Sequence, residues 1–232
     1  MAEIGNGYGS ECHLLRYLGR HRKALNAAVS AAAGADSVSW LDFPFDPAAT
    51  WKDSEWKGLE FLQPDSPARE AWRRAWPQRG NPPNWDAVAR ASFGSGDEWL
   101  LVEAKAHAGE LRSSCGAKEG PARSRIQEAL EATKGRLDVP QERDWMNGYY
   151  QFCNRLAVLN VLQGAGVAAR LLFIYFTGDA FPGNRVDCPG SEAEWQPALE
   201  SQARHVGLPE GHPVADRIHK LFLPVCPIED ES

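Results

Sequence analysis

A chain of 232 residues with 43% hydrophobic and 24% charged content is long enough to bury the core of one large domain. Aromatic residues at 10%, nine of them Trp, set it apart from disordered sequences, and a formal net charge of −6 argues against indiscriminate nucleic-acid binding. No run of eighteen apolar residues occurs, so neither a transmembrane helix nor a membrane partner is expected. Met1 to Ser10 is polar and Gly-rich, without the pattern of a secretory signal. Cys12, Cys115, Cys153, Cys188 and Cys226 are odd in number, and none pairs with another at two-residue spacing. They read as reduced thiols of a cytoplasmic protein, not as a zinc ribbon. The tryptophans supply large buried areas or platforms for a ligand.

Along the chain, apolar residues from Leu14 to Val29 recur at three- and four-residue intervals and predict one amphipathic helix over His13 to Ala33, ended by Gly34. Val38 to Phe43 alternates too irregularly to assign. Trp51 to Leu62 and Pro67 to Trp76 read as short helices, the second starting at Asp-Ser-Pro and stopping at Pro77. Gly80 to Asn84 is a rigid turn into a strand that carries Asp86. Phe93 to Asp97 is a hairpin connection, and Trp99 to His107 a central strand. Ala108 to Gly120 reads as a mobile loop, Pro121 to Leu137 and Asp144 to Leu162 as helices, and Ala169 to Thr177 as a strand buried on both faces. A loop over Gly178 to Gly190, helices at Ser191 to Val206 and Val214 to His219, and an extended Lys220 to Val225 complete the pattern. This is a single α/β domain over 1–232, with a helical part at about 1–79, a core at about 80–180 and C-terminal helices and a tail at about 181–232.

Chemistry concentrates at Asp86 and at Glu103-Ala104-Lys105. Successive side chains of a strand point to opposite faces, so Glu103, Lys105 and His107 share one face of an otherwise hydrophobic strand. Two carboxylates that meet across a hairpin, with an ammonium beside them, suit a hard divalent cation and a positioned water. The plainer alternative makes Glu103 and Lys105 neighbours on an exposed edge strand and Asp86 a turn residue.

The order of Asp on one strand, Glu-x-Lys on the next, then helix and strand, resembles the PD-(D/E)XK nuclease superfamily over Pro67 to Thr177, with Trp85 standing where the family motif has Pro. The resemblance implies a restriction-endonuclease-like core, a mixed central sheet flanked by helices with N-terminal helical decoration. It implies that Asp86, Glu103 and the backbone carbonyl of Ala104 hold Mg²⁺ or Mn²⁺. Lys105 then orients or helps deprotonate the attacking water and offsets transition-state charge. It also implies an additional acid, Glu11 or Glu70, and a helix face bearing Gln151, Asn154 and Arg155 towards the site. His107 reads as a hydrogen-bonding support residue.

The expected activity is metal-dependent endonucleolytic or exonucleolytic hydrolysis of DNA or RNA. Arg69, Arg73, Arg74 and Arg79 before the motif, and Arg112, Lys118, Arg123 and Arg125 after it, are candidate backbone contacts or ordinary surface charges. The alternative function is a catalytically silent nuclease-fold scaffold that binds a partner through its tryptophan-rich N-terminal part. His205, His212 and His219 recur every seven residues, but intervening prolines argue against a shared metal. The oligomeric state stays open, a homodimer included.

Overall fold

In a computed structural model describing residues 7–41, 55–80, 82–183 and 186–226, a five-stranded mixed sheet is flanked by helices on both faces. The N-terminal helical region is two helices, α1 (Ser10–Arg20) and α2 (Arg22–Ala33). The backbone leaves helical geometry at His21 (φ −118°, ψ 33°), where the sequence pattern predicts continuity. Gly34 ends α2 in the left-handed conformation, as expected of a residue without Cβ.

The irregular segment after it forms edge strand β1 (Ser37–Trp40). Trp51 to Leu62 falls partly outside the described residues; what is described is a two-residue strand, β2 (Trp56–Lys57), and turns, in place of the predicted helix. Its partner is β3 (Asn84–Trp85), in antiparallel register with Trp56 opposite Trp85 and Lys57 opposite Asn84. Between them, α3 (Pro67–Ala75) starts with Ser66 accepting a hydrogen bond from the Ala68 N–H and with Pro67 in its first turn.

Strand β4 (Ala87–Phe93) turns through Gly94-Ser95 into β5 (Gly96–Lys105), the middle strand of the sheet. Helices α4 (Pro121–Arg136) and α5 (Tyr150–Gly164) lead to β6 (Ala169–Thr177), then α6 (Glu192–Val206) and β7 (Ile218–Pro224). Asp144 to Tyr149, predicted as the first turns of α5, is non-helical. Asp144 Oδ1 accepts from the N–H groups of Met146 and Asn147, a local turn that competes with helix initiation. The predicted helix at Val214 is one short 3₁₀ turn, Ala215–Arg217. The loop after β5 opens with another, Ala108–Leu111.

The sheet order is β1-β4-β5-β6-β7, antiparallel through β5 and parallel from β5 to β7. One face buries Ala87, Ala89, Leu100, Val102, Ala104, Leu172 and Ile174 under Leu14, Leu18, Leu25 and Val29 of α1 and α2. The other buries Val88, Leu101, Leu171, Phe173 and Tyr175 under side chains of α3, α4, α5 and α6. Pleating puts Glu103 and Lys105 on the second face with Leu101, against α5. The eight tryptophans among the described residues are all buried or half-buried, so they are packing groups and not exposed platforms.

Candidate functional site

Asp86 sits in a bend between β3 and β4, not within one continuous strand. Its own N–H still donates to the Val102 carbonyl at 3.1 Å, but the preceding Trp85 has left the main sheet for the β2–β3 ladder. That departure exposes the edge of β5 beyond Val102. Asp86 fills it: its Oδ2 accepts from the Ala104 N–H at 2.6 Å. The carbonyl of a strand residue emerges on the same edge as its N–H, so the Ala104 carbonyl is on the Asp86 side.

Glu103 and Lys105, on either side of Ala104, are buried to 2% and 9% exposure. Lys105 Nζ donates to Glu103 Oε1 at 2.5 Å and to Gln151 Oε1 at 3.0 Å. Arg155 closes on Glu103 Oε2 through Nε at 2.9 Å and Nη2 at 2.6 Å, and its remaining arm donates to Asn154 Oδ1 at 2.8 Å. The guanidinium also lies over the Trp85 ring, 4.8 Å from its centroid. The i, i+3, i+4 spacing of Gln151, Asn154 and Arg155 puts all three on the face of α5 that meets β5. The start of α5 is held by Ser113, whose Oγ accepts from the Gln151 N–H at 2.8 Å and whose carbonyl accepts from Tyr150 N–H at 3.2 Å.

These groups adjoin a cavity of about 270 Å³ lined by Glu55, Asn84, Asp86, Ser113, Tyr150, Gln151, Asn154, Arg155 and the Pro82-Pro83 pair. Electrostatics divides the two central acids. Burial disfavours the charged form of Glu103, but Arg155 and Lys105 outweigh it and hold the carboxyl below its ordinary range. Burial, then the charges of Glu103 and Glu55, push Asp86 up to about 8 despite Lys105 and the Ala104 N–H. Burial lowers Lys105, but Glu103 and Asp86 reverse this and keep its ammonium charged above its ordinary range.

The donor types here, carboxylate and backbone oxygen, are those that hard cations take. Asp86 is an under-compensated carboxylate on a cavity wall, hydrogen-bonded to the Ala104 backbone, and Glu103 lies behind that wall with its oxygens on Lys105 and Arg155. Among the described residues no three or more His, Cys, Asp or Glu side chains are grouped for a metal. Two carboxylates, a backbone oxygen and water are a set that Mg²⁺ accepts, since it retains several waters.

Of the residues expected from the sequence, Asp86, Glu103, Lys105, Gln151, Asn154 and Arg155 come together. Glu70 does not: it is exposed on α3 and paired with Arg73 at 2.8 Å and Arg74 at 3.3 Å. Glu11 is half-buried on α1 and does not line the cavity. His107 lies two residues beyond the end of β5 with its backbone still extended; its Nε2 is 3.6 Å from Glu110 and its ring meets Phe181 edge-on, away from the cavity. Glu55 is the acid that sequence reasoning missed, because only the β2–β3 ladder, nearly thirty residues apart in sequence, brings it to Asp86. No family model, curated protein or solved structure matches this chain.

Proposed function

We propose that the protein is a divalent-metal-dependent nuclease of the PD-(D/E)XK type, hydrolysing phosphodiesters of DNA or RNA. The observation that carries the reading is the Asp86 carboxylate bound to the Ala104 N–H, between Glu103 and Lys105, on the wall of a cavity shared with Gln151, Asn154 and Arg155. Asp86, Glu103 and the Ala104 carbonyl would hold the cation. When bound, Mg²⁺ or Mn²⁺ supplies Lewis-acid polarisation of a phosphoryl oxygen and lowers the pKa of a water. Lys105, fixed by Glu103 and Gln151, acts as a preorganised positive charge for the oxygens that gain charge in the transition state. Arg155 keeps Glu103 ionised and oriented. Arg112, Lys118 and Arg125, exposed between Leu111 and the first turns of α4, would be the cations that meet nucleic-acid phosphates.

The test is Asp86→Asn. Manganese titration calorimetry on the wild type should give saturable binding, and single- and double-stranded DNA and RNA oligonucleotides should be cut with Mg²⁺ or Mn²⁺. The variant should lose both while keeping a cooperative melt. A folded wild type that neither binds Mn²⁺ nor cuts any of these would refute the reading.

One observation favours the second reading, a silent nuclease-fold binding protein: Glu103 is already neutralised by two cationic side chains. The same titration separates the two.

A further inference from the structure

We infer that Glu55 is the proton acceptor of this site, the group that takes the proton of the attacking water in the place where Lys105 would be expected to do so. The inference rests on the nuclease reading and adds to it.

Three observations carry it. First, Glu55 and Asp86 are the two carboxylates that line the cavity; Glu103 lies behind its wall. Second, Glu55 is positioned. It immediately precedes β2, whose ladder with β3 is fixed at Trp56–Trp85 and Lys57–Asn84, and Asn84 Nδ2 donates to its Oε2 at 2.7 Å. Among the described residues its Oε1 has no hydrogen-bond partner. Third, every other ionisable group near the cavity is committed. Lys105 is turned away from this task by geometry: its Nζ donates to both Glu103 Oε1 and Gln151 Oε1. Glu103 carries two ion pairs, and Arg155 is one of the cations. Asp86 holds the Ala104 N–H through one oxygen and, on the nuclease reading, would take the cation with the other. The Tyr150 hydroxyl is pushed upward, first by burial and then by Cys115, and stays neutral. A base must face the cavity and have a lone pair to offer; Glu55 lines the cavity, and among the described residues its Oε1 accepts no hydrogen bond.

The step balances. The water gives a proton to Glu55 as its oxygen forms the new P–O bond. The P–O bond to the leaving oxygen breaks with its electron pair, and that oxygen takes a proton from solvent. Glu55 then returns its proton to solvent, leaving a phosphate monoester and an alcohol.

The experiment uses the full chain and an oligonucleotide that the wild type cleaves with Mn²⁺. Glu55→Gln should lower kcat by about 10²-fold or more, with KM and the calorimetric Mn²⁺ affinity within about twofold of wild type. Glu55→Gly should be as slow, and added formate should restore part of its rate by supplying the missing carboxylate, a readout that a structural role would not move. A Glu55→Gln enzyme within about threefold of wild-type kcat overturns the inference, as does Mn²⁺ affinity falling in step with the rate, which would make Glu55 a ligand. In both cases the nuclease reading survives. A wild type that neither binds Mn²⁺ nor cleaves overturns the reading and this inference together.

Discussion

Glu103 is a buried carboxylate shared between Lys105 on its own strand and Arg155 on α5. Placing three charged groups in a core is costly, and the arrangement holds only because each oxygen of Glu103 is hydrogen-bonded and the Arg155 guanidinium is satisfied by Glu103 and Asn154. Removing one partner should therefore cost far more than the pair contributes. Arg155→Ala should lower stability by about 3–5 kcal/mol, visible as a lower urea midpoint at unchanged slope. Arg155→Lys should recover less than half of that, because an ammonium cannot make the two-pronged contact or lie flat on Trp85. A near-neutral Arg155→Ala would show that the pairing adds little to the fold. At this scale the sequence was informative about which residue types matter and silent about their partners. The two-residue spacing of Glu103 and Lys105 places them on one face by pleating alone. The link from Glu103 to Arg155 spans fifty-two residues and depends on how α5 rotates over β5, which no local pattern encodes.

Among the elements, long and periodic ones were legible: the bounds of β6 agree with its apolar run, and α4 with its helical spacing. The exceptions are set by contacts distant in sequence. The β2–β3 ladder has two residues per strand, too short for an alternation signal, yet it decides where Asp86 bends and where Glu55 points. It is anchored by Trp85, whose Nε1 donates to the Gly58 carbonyl at 2.8 Å, and by the Gly58 N–H, which donates to Pro83 at 2.7 Å. Gly58 has φ +52°, and a Cβ there would stand 3.0 Å from Trp72 Nε1. Gly58→Ala meets both an unfavourable backbone region and a crowded indole. It should destabilise the protein by about 1–3 kcal/mol. On the proposed function it should also reduce kcat more than Mn²⁺ affinity, since Glu55 moves while the β5 residues stay. An alanine variant with wild-type melting and wild-type rate would remove the ladder from the account of the site.

At the scale of the whole molecule, the mixed sheet explains why one end needs charge to hold it. The α/β class, central β5 and a β6 buried on both faces were readable from hydropathy, whereas the parallel pairing of β6 and the position of β7 beside it were not, because an apolar run carries no pairing code. That edge is tied by Glu98 near the start of β5. Its Oε2 accepts from Arg170 Nε of β6 at 2.7 Å and from Arg217, in the turn before β7, at 2.6 Å. Burial works against the Glu98 anion, but Arg170 and then Arg217 outweigh it and hold its carboxyl below its ordinary value of 4.5. A carboxyl depressed in the folded state contributes stability above its unfolded pKa and loses it as pH falls through the folded value. The contribution of Glu98 should thus be complete at pH 6 to 7, begin to fall near pH 4.5 and vanish at lower pH still. Urea unfolding followed from pH 7 down to pH 3 should show this loss in the wild type. Glu98→Gln should be less stable at pH 7, and the difference between the two proteins should shrink as the medium becomes more acid. Parallel curves with a constant offset would mean that Glu98 acts by packing and hydrogen bonding, with its charge unused in holding β5, β6 and β7 together.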